Sequence, residues 1–406
     1  MQSKVQKAGV KVIGFDINEQ RINELAAGID GNNEIAQFDA NNLVFTYEPS
    51  RLEEANTYLI SVPTPLNTHQ IPDLKSLKAA AKLIAKFLKK GDIVVLESTV
   101  YPGATRELIM STLEQRSELI SGQDYFVGYS SERIVPGDKQ LTLLTTATKV
   151  ISGQNADALN KIKELYQHLP GLKLHCAPSL EVAEASKLLE NIQRNVNIAL
   201  MNEYSQIMEN MGISFYDVYE AAKTKQNFLP FTPGLVGGHC IPEDPHYLIY
   251  QANKSDCTHN LISCACQTNQ QFYLFIMNKT IELLIKQGMI VRDAKVAILG
   301  MSFKANVNDI RHSLSINLYN DFKALGVNVV ACDPLVALEK IKLNWEDLDA
   351  LSECHAIVLC QAHKEFVELG VTTLCQKIIP NGVFIDTPGA FVHSAEFRPD
   401  IAYWTL

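Results

Sequence analysis

Apolar residues in this chain gather in short unbroken runs, separated by longer stretches in which they recur every three or four positions. Residues 10–16 (VKVIGFD) and 327–333 (VNVVACD) are two such runs, and each ends in an acid. Near-continuous aliphatic runs of this length predict strands buried on both faces, as in a parallel sheet. Each run follows a helix-ending signature, Lys7-Ala8-Gly9 in one case and Lys323-Ala324-Leu325-Gly326 in the other. Residues 56–65 (NTYLISVPTP), 91–100 (GDIVVLESTV) and 125–130 (YFVGYS) predict three more strands, with an apolar helix over 74–88. Strands alternating with helices imply parallel sheets covered on both faces. The expected fold class is therefore α/β, with two Rossmann-like doubly wound domains, one at each end. The acid at the tip of a second Rossmann strand is placed to bond a ribose hydroxyl, which points to Asp16 and, by the echo, to Asp333.

The two copies are not equal. Residues 295–300 (KVAILG) and the stretch to Leu325 put a strand and a helix before the second copy, whereas only nine residues precede the first. The first strand and the Gly-x-Gly-x-x-Gly turn that seats a pyrophosphate on a helix N-terminus are missing from the N-terminal copy. A misassigned start, a truncated gene or an impaired cofactor domain would each produce this pattern. Between the two copies, Pro178-Ser179 opens a stretch free of Gly and Pro until Gly212. Ser179 suits an N-cap. About 33 helical residues would span roughly 50 Å, long enough to bridge domains or subunits. The expected domains are residues 1–175, a central helical region over 176–288, and 289–406.

Composition narrows the class. Hydrophobic residues make up 47% of the 406 and charged residues 20%, values of a soluble globular protein. The net charge of -9 argues against nucleic acid and against an anionic membrane surface as partners. No run is long and apolar enough to span a membrane, and the first residues lack a signal-peptide core, so a cytoplasmic setting is expected. The odd count of 9 cysteines without regular spacing reads as reduced thiols. Cys257, Cys264 and Cys266 with His259 fit no common zinc spacing, and no metal is expected.

The chemistry concentrates in residues 232–245 (TPGLVGGHCIPEDP). Gly237 and Gly238 allow a sharp turn and close approach to a ligand. Cys240 follows as a nucleophile able to attack a carbonyl, and Asp244 stands four residues on to handle protons. This run resembles the catalytic loop of the UDP-glucose and UDP-N-acetylhexosamine 6-dehydrogenases. Its form is most similar to members acting on UDP-N-acetylated hexosamines in surface-polysaccharide synthesis. On the predicted long helix, Lys187, Asn191 and Arg194 fall at i, i+4 and i+7 on one face. From spacing alone that is a solvated polar stripe. The resemblance implies instead that Lys187 stabilises an alkoxide or oxyanion at C6, Asn191 holds water or the oxyanion, and Arg194 touches substrate.

Further segments carry the resemblance over about residues 10 to 400. Residues 130–137 (SSERIVPG) match a family loop except that Ser131 stands where proline is usual. The match implies Glu132 as general base and Arg133 with Ile134 as substrate contacts, and Gly237 lines the substrate too. Thr99 would place water. Residues 302–313 (SFKANVNDIRHS) imply Lys304 toward the sugar and Arg311 toward the dinucleotide. Asp16, Arg21, Thr64, Thr99 and Arg311 would hold NAD, an acid at Asp16 disfavouring the 2′-phosphate of NADP. Residues 264–267 (CACQ) and Pro388 stand where the family often has cations for UDP.

The implied reaction is a four-electron oxidation of a UDP-sugar CH2OH to a carboxylate through a Cys240 thiohemiacetal and thioester, in a homodimer joined through the long helix. An inactive nucleotide-sugar-binding homologue is the alternative. A cysteine hydrolase lacks a convincing histidine base, since His239 only adjoins Cys240.

Overall fold

The computed structural model describes residues 10–29, 43–133, 148–169, 171–336, 342–394 and 397–406. The chain divides into two compact units, residues 1–190 with 246–258 and residues 191–245 with 259–406. No helix of the described residues is long and apolar enough to cross a membrane.

The first unit opens with β1 (Val12–Phe15), α1 (Glu19–Ala26) and β2 (Leu43–Thr46). Asn18 caps α1 by accepting from Arg21 N. The unit continues through β3 (Thr57–Ile60), α2 (Lys75–Ile84), β4 (Ile93–Leu96), α3 (Ser111–Ser117), β5 (Phe126–Tyr129), β6 (Thr148–Gly153), α4 (Ala156–Gln167) and β7 (Lys173–Cys176). β1 and β2 pair in parallel as a two-stranded sheet, while β3 to β7 form a separate five-stranded sheet in sequential order. Among the described residues no strand joins the two. The expectation of purely parallel pairing needs one correction, because β5 and β6 run antiparallel. Here two glycines face each other across the pair. A Cβ on Gly128 would come within 2.5 Å of Ser152 O, and one on Gly153 within 2.3 Å of Leu159 N.

A long helix, α5 (Leu180–Met211), runs for 32 residues, about 48 Å. Ser179 caps it, its Oγ accepting from Val182 N at 3.3 Å. In its first turns Glu184 is fully buried. It accepts from Gly103 N at 2.6 Å, Thr105 N at 2.8 Å and Thr105 Oγ1 at 2.5 Å. Glu184 thereby satisfies N–H groups at the start of the helical segment over 105–117, a task a helix end always leaves open. Burial raises its carboxyl to about 7, against the lowering effect of those donors.

The second unit holds the rest of α5, then α6 (Phe215–Lys223), the start of α7 (Cys240–Lys254) and α8 (Asn260–Lys286). These precede β8 (Lys295–Leu299), α9 (Leu314–Ala324), β9 (Asn328–Cys332), β10 (Cys354–Leu359), α10 (Lys364–Gln376), β11 (Ile378–Asp386) and β12 (Ala402–Thr405). The strands form one sheet in the order β12-β11-β10-β8-β9, with every pairing parallel. Successive residues alternate between its faces. Val296, Ile298, Val329, Ala331, Ala356 and Val358 pack with Phe272 and Ile276 of α8 and Phe322 of α9. Ala297, Leu299, Val330, Ile357 and Leu359 pack with Phe366 and Leu374 of α10. Helices on both faces explain why these strands read as unbroken aliphatic runs.

Residues 225–239 form no helix or strand, so the backbone there needs partners from elsewhere. α5 provides them with asparagines that are themselves buried. Asn202 accepts from Gly234 N at 2.8 Å and donates to Gly234 O at 3.2 Å. Its amide also donates to Asn269 Oδ1 at 2.9 Å, and Asn269 donates to Asn195 O at 2.9 Å. Asn195 in turn donates to Ile241 O at 3.2 Å. That carbonyl sits four residues before Pro245, which lies inside α7 and has no N–H to give.

Two outcomes follow from this packing. Asn195→Ala should cost about 1–3 kcal/mol in chemical unfolding, by orphaning Ile241 O. The cost should shrink in a Pro245→Ala background, where residue 245 regains its own N–H; equal costs in both backgrounds would refute the pairing. Glu184 binds its proton more tightly folded than unfolded. Its contribution to stability is thus complete below the ordinary value of 4.5 and is lost as pH rises through about 7. Between about pH 5 and about pH 8, Glu184→Gln should therefore lose less thermal stability than wild type. Parallel stability curves would contradict the assignment.

Candidate active site

Cys240 is a reduced, exposed thiol on the first residue of α7. The turn that delivers it is shaped by its neighbours. A Cβ on Gly237 would fall 2.8 Å from His312 O and 2.8 Å from Phe303 Cβ. One on Gly238 would fall 2.8 Å from the Phe303 ring, and Gly238 has φ +79°, a region that favours glycine. Gly238 N donates to Arg311 O at 3.2 Å. Glycine is thus required at both positions, by packing at the first and by packing and backbone conformation at the second.

Asp244 follows one turn along α7 and is buried. Asn191 Nδ2 donates to its Oδ2, and Arg194 donates to Asn191 Oδ1. The second unit therefore brings together three residues nominated from sequence, with the Asn191 amide engaged on both sides. Lys304 is exposed on the 301–313 segment. Arg311 is held by Asp309, its Nε lying 2.9 Å and 3.0 Å from the two carboxylate oxygens. Arg311 and its neighbours hold the Asp309 carboxyl below the usual range, although burial pushes it upward.

The first unit gathers a second group. Lys187 Nζ donates to Glu132 O at 2.8 Å. Arg133 donates to Thr148 O at 2.9 Å, pairs with Glu190, and its backbone N donates to Glu132 Oε1 at 2.7 Å. Behind this loop lies a buried ion pair, Lys149 Nζ to Glu97 Oε1 at 3.0 Å. Tyr166 donates to the same Glu97 oxygen at 2.6 Å, and burial beside that acid pushes its phenol well upward. Ile134 lies outside the described residues.

The residues expected to hold a dinucleotide stand at strand ends. Asp16 is exposed at the tip of β1, one oxygen accepting from Asn18 N at 2.9 Å. Arg21 lies on α1, 3.9 Å from Glu24. Thr64 and Thr99 follow the adjacent parallel strands β3 and β4, and Thr64 Oγ1 donates to Thr99 O at 2.9 Å. Tyr247 donates to Thr64 O.

The echo at Asp333 fails as a ribose site. Asp333 is buried, and its carboxylate accepts from Met301 N at 2.7 Å, Ser302 N at 3.0 Å and Leu335 N at 2.9 Å. His363 Nδ1 faces the Asn306 N–H at 2.8 Å, which leaves the proton on Nε2, 3.0 Å from Asp333. Burial would raise the Asp333 carboxyl, yet His363 and the backbone donors hold it below the ordinary range. Asp333 is committed to holding the turn after β8.

Sequence reasoning missed Asn195, Asn202, Glu184 and Glu243. One signal was available: a proline at position 245 leaves Ile241 O without its helical partner, which calls for a donor such as Asn195.

Residues 2–170 match the NAD binding domain of the UDP-glucose/GDP-mannose dehydrogenase family, residues 181–271 its central domain and residues 297–393 its UDP binding domain. The chain is 41% identical over 402 residues to Protein CapL of Staphylococcus aureus, covering 98% of this chain and 94% of that one. It is 38% identical over 370 residues to UDP-N-acetyl-D-glucosamine 6-dehydrogenase of Pseudomonas aeruginosa, covering 89% and 87%. The UDP-D-ManNAc dehydrogenase structure from Pyrococcus horikoshii superposes with a TM-score of 0.89 at 27% identity, covering 100% of this chain and 95% of that one. By these matches along nearly its whole length, the chain belongs to the UDP-glucose/GDP-mannose dehydrogenase family.

Proposed function

We propose that this protein oxidises C6 of a UDP-N-acetylhexosamine to the carboxylate in two NAD-dependent steps, yielding a nucleotide-linked uronate for surface-polysaccharide synthesis. The observation that carries the reading is Cys240, an exposed thiol opening a helix behind an obligatory glycine pair, with buried Asp244 one turn on. A helix N-terminus favours negative charge, which suits a nucleophile that reacts as its anion.

The strand-end residues suit a dinucleotide. Exposed Asp16 is chemically fit to accept from ribose hydroxyls, and Arg21, Thr64, Thr99 and Arg311 would complete the hold. NAD, when bound, accepts the hydride lost from carbon in each oxidation. Cys240 Sγ adds to the intermediate aldehyde as a thiohemiacetal, and its oxidation leaves a thioester on the same sulfur. Water then attacks the thioester carbon and the thiolate departs. Lys187 supplies a fixed cation to the C6 oxygen. Glu132 takes the proton of the attacking water, which Thr99 and Asn191 place, while Asp244 manages the proton on the thiol. Arg133, Ile134, Arg194, Gly237 and Lys304 contact the sugar nucleotide. A cytoplasmic setting accords with nucleotide-sugar chemistry.

The dimer proposed through α5 draws support from a stripe on that helix. Leu200, Tyr204, Ile207 and Met211 fall at i, i+4, i+7 and i+11 and are all exposed. A second reading, a nucleotide-sugar-binding homologue with weak NAD affinity, is favoured by one observation. The β1–β2 ribbon that carries Asp16 shares no ladder with the β3–β7 sheet among the described residues.

Supplied with NAD and UDP-N-acetylglucosamine or UDP-N-acetylgalactosamine, the protein should form two NADH per uronate. Cys240→Ala should abolish uronate formation while UDP-sugar binding persists; wild-type rates from that variant would overturn the covalent scheme. Calorimetry separates the two readings, since UDP binding without measurable NAD binding or turnover selects the second. Ile207→Lys should shift the mass measured by light scattering from dimer to monomer, and an unchanged mass would remove α5 as the interface.

A further inference from the structure

Glu243 is an acid with almost no access to water and an imidazole on either side. Its side chain is 9% exposed. His312 Nε2 lies 2.9 Å from Glu243 Oε1, and His239 Nδ1 lies 3.4 Å from the same oxygen. The three groups each offer a ligand atom, and those atoms all lie within 4.8 Å of one another. The two rings stand edge to face, 5.1 Å apart at 85°.

The backbone holds these side chains in place. Glu243 N donates to His239 O at 3.1 Å across the first turn of α7. The Gly238 N to Arg311 O bond ties the residue before His239 to the residue before His312. His312 has φ 52°, a left-handed conformation that is uncommon outside glycine and clusters at functional sites. His239 Nε2 is buried with no hydrogen-bond partner among the described residues. Nδ1, the ring nitrogen that faces Glu243, is the one placed to act as a ligand atom.

In a tetrahedral site with bonds of about 2.0–2.2 Å, neighbouring ligand atoms sit about 3.2–3.6 Å apart. The observed 2.9 Å and 3.4 Å separations need little adjustment to reach that. Two imidazoles and one carboxylate select zinc and its transition-metal neighbours over magnesium or calcium, which prefer all-oxygen shells. Three protein ligands also leave a fourth position open. We propose that His239, Glu243 and His312 bind one zinc-class divalent cation. The bound cation cross-links the first turn of α7, which begins at Cys240, to the 301–313 segment. None of the three residues has a role in the reaction proposed above, and the site stands or falls independently of it.

The test reads metal affinity and stability rather than turnover. Metal-free protein, kept reduced, is titrated with zinc against a chromophoric chelator, and its unfolding temperature is followed with zinc and with magnesium. Wild type should bind one zinc per chain and gain thermal stability from zinc but not from magnesium. Asparagine tolerates a left-handed φ, so His312→Asn should keep the backbone and weaken this binding by about 10-fold or more. Glu243→Gln, close in shape, should do the same. If both variants fold and bind zinc as wild type does, the metal resides on the exposed cysteines and the proposal is wrong. A magnesium effect equal to that of zinc, or no zinc effect at all, would also overturn it.

Discussion

Three buried asparagines on α5 fix the course of the chain that carries Cys240. A buried amide is costly unless its donors and acceptor are matched. Asn202, Asn195 and Asn191 meet that condition on the irregular segment that ends in α7, at Gly234, Ile241 and Asp244. The segment has no ladder of its own, and α5 replaces one with side chains. Asparagine suits this task because its stem is short and stiff and its amide both gives and accepts, as a backbone peptide does. Asn202 pairs with the N–H and the C=O of Gly234 together, much as a neighbouring strand would. A helix that also carries Lys187 and Arg194 thereby sets the register of Cys240 and Asp244.

The same segment combines features that each look unfavourable alone. Pro245 removes a helical hydrogen bond, and Asn195 fills the vacancy. Gly237 and Gly238 give up side-chain packing, and the Phe303 ring occupies the space released. Phe303 and Arg311 belong to the segment that also carries Lys304. The turn before Cys240 is thus shaped by the loop expected to reach the sugar nucleotide, through van der Waals contact and one backbone hydrogen bond. Larger residues at 237 or 238 would push the two apart, so loop shape and the position of Cys240 change together.

Much of this architecture was legible in the sequence, for identifiable reasons. The aliphatic runs at 93–96 and 295–299 and the uninterrupted helix from 180 to 211 follow directly from hydrophobic periodicity and from where Gly and Pro occur. Strands β6 and β7 escaped notice because their alternation is weak: β7 is mostly exposed, and β6 carries Lys149, whose charge masks a position buried against Glu97. The antiparallel β5–β6 pair depends on Gly128 and Gly153 meeting face to face, a contact between residues far apart in sequence. Cys240, Asp244 and Asn191 in the second unit, and Lys187, Glu132 and Arg133 in the first, were visible as motif residues. Their supports were hidden, because a buried asparagine and a solvated one are the same letter, and only the tertiary partner tells them apart.

The two strand-end acids show how one layout can serve two ends. Asp16 and Asp333 close the two aliphatic runs that echo each other, residues 10–16 and 327–333. Asp16 is exposed, and a short Asx-type bond to Asn18 N holds it at the β1–α1 turn. Asp333 sits inside the protein, surrounded by backbone N–H groups and by His363, whose tautomer is set by Asn306 N on the far side of the ring. The N–H groups of Met301, Ser302, Leu335 and Val336, with His363, stabilise its charge enough to outweigh burial. A carboxylate used in this way cannot also bond a ribose. Where the turn after β8 is not glycine-rich, its backbone needs an internal anchor, and Asp333 supplies one. Any nucleotide bound by the second unit must therefore be gripped by other groups, which is the place left for an exposed cation such as Lys304.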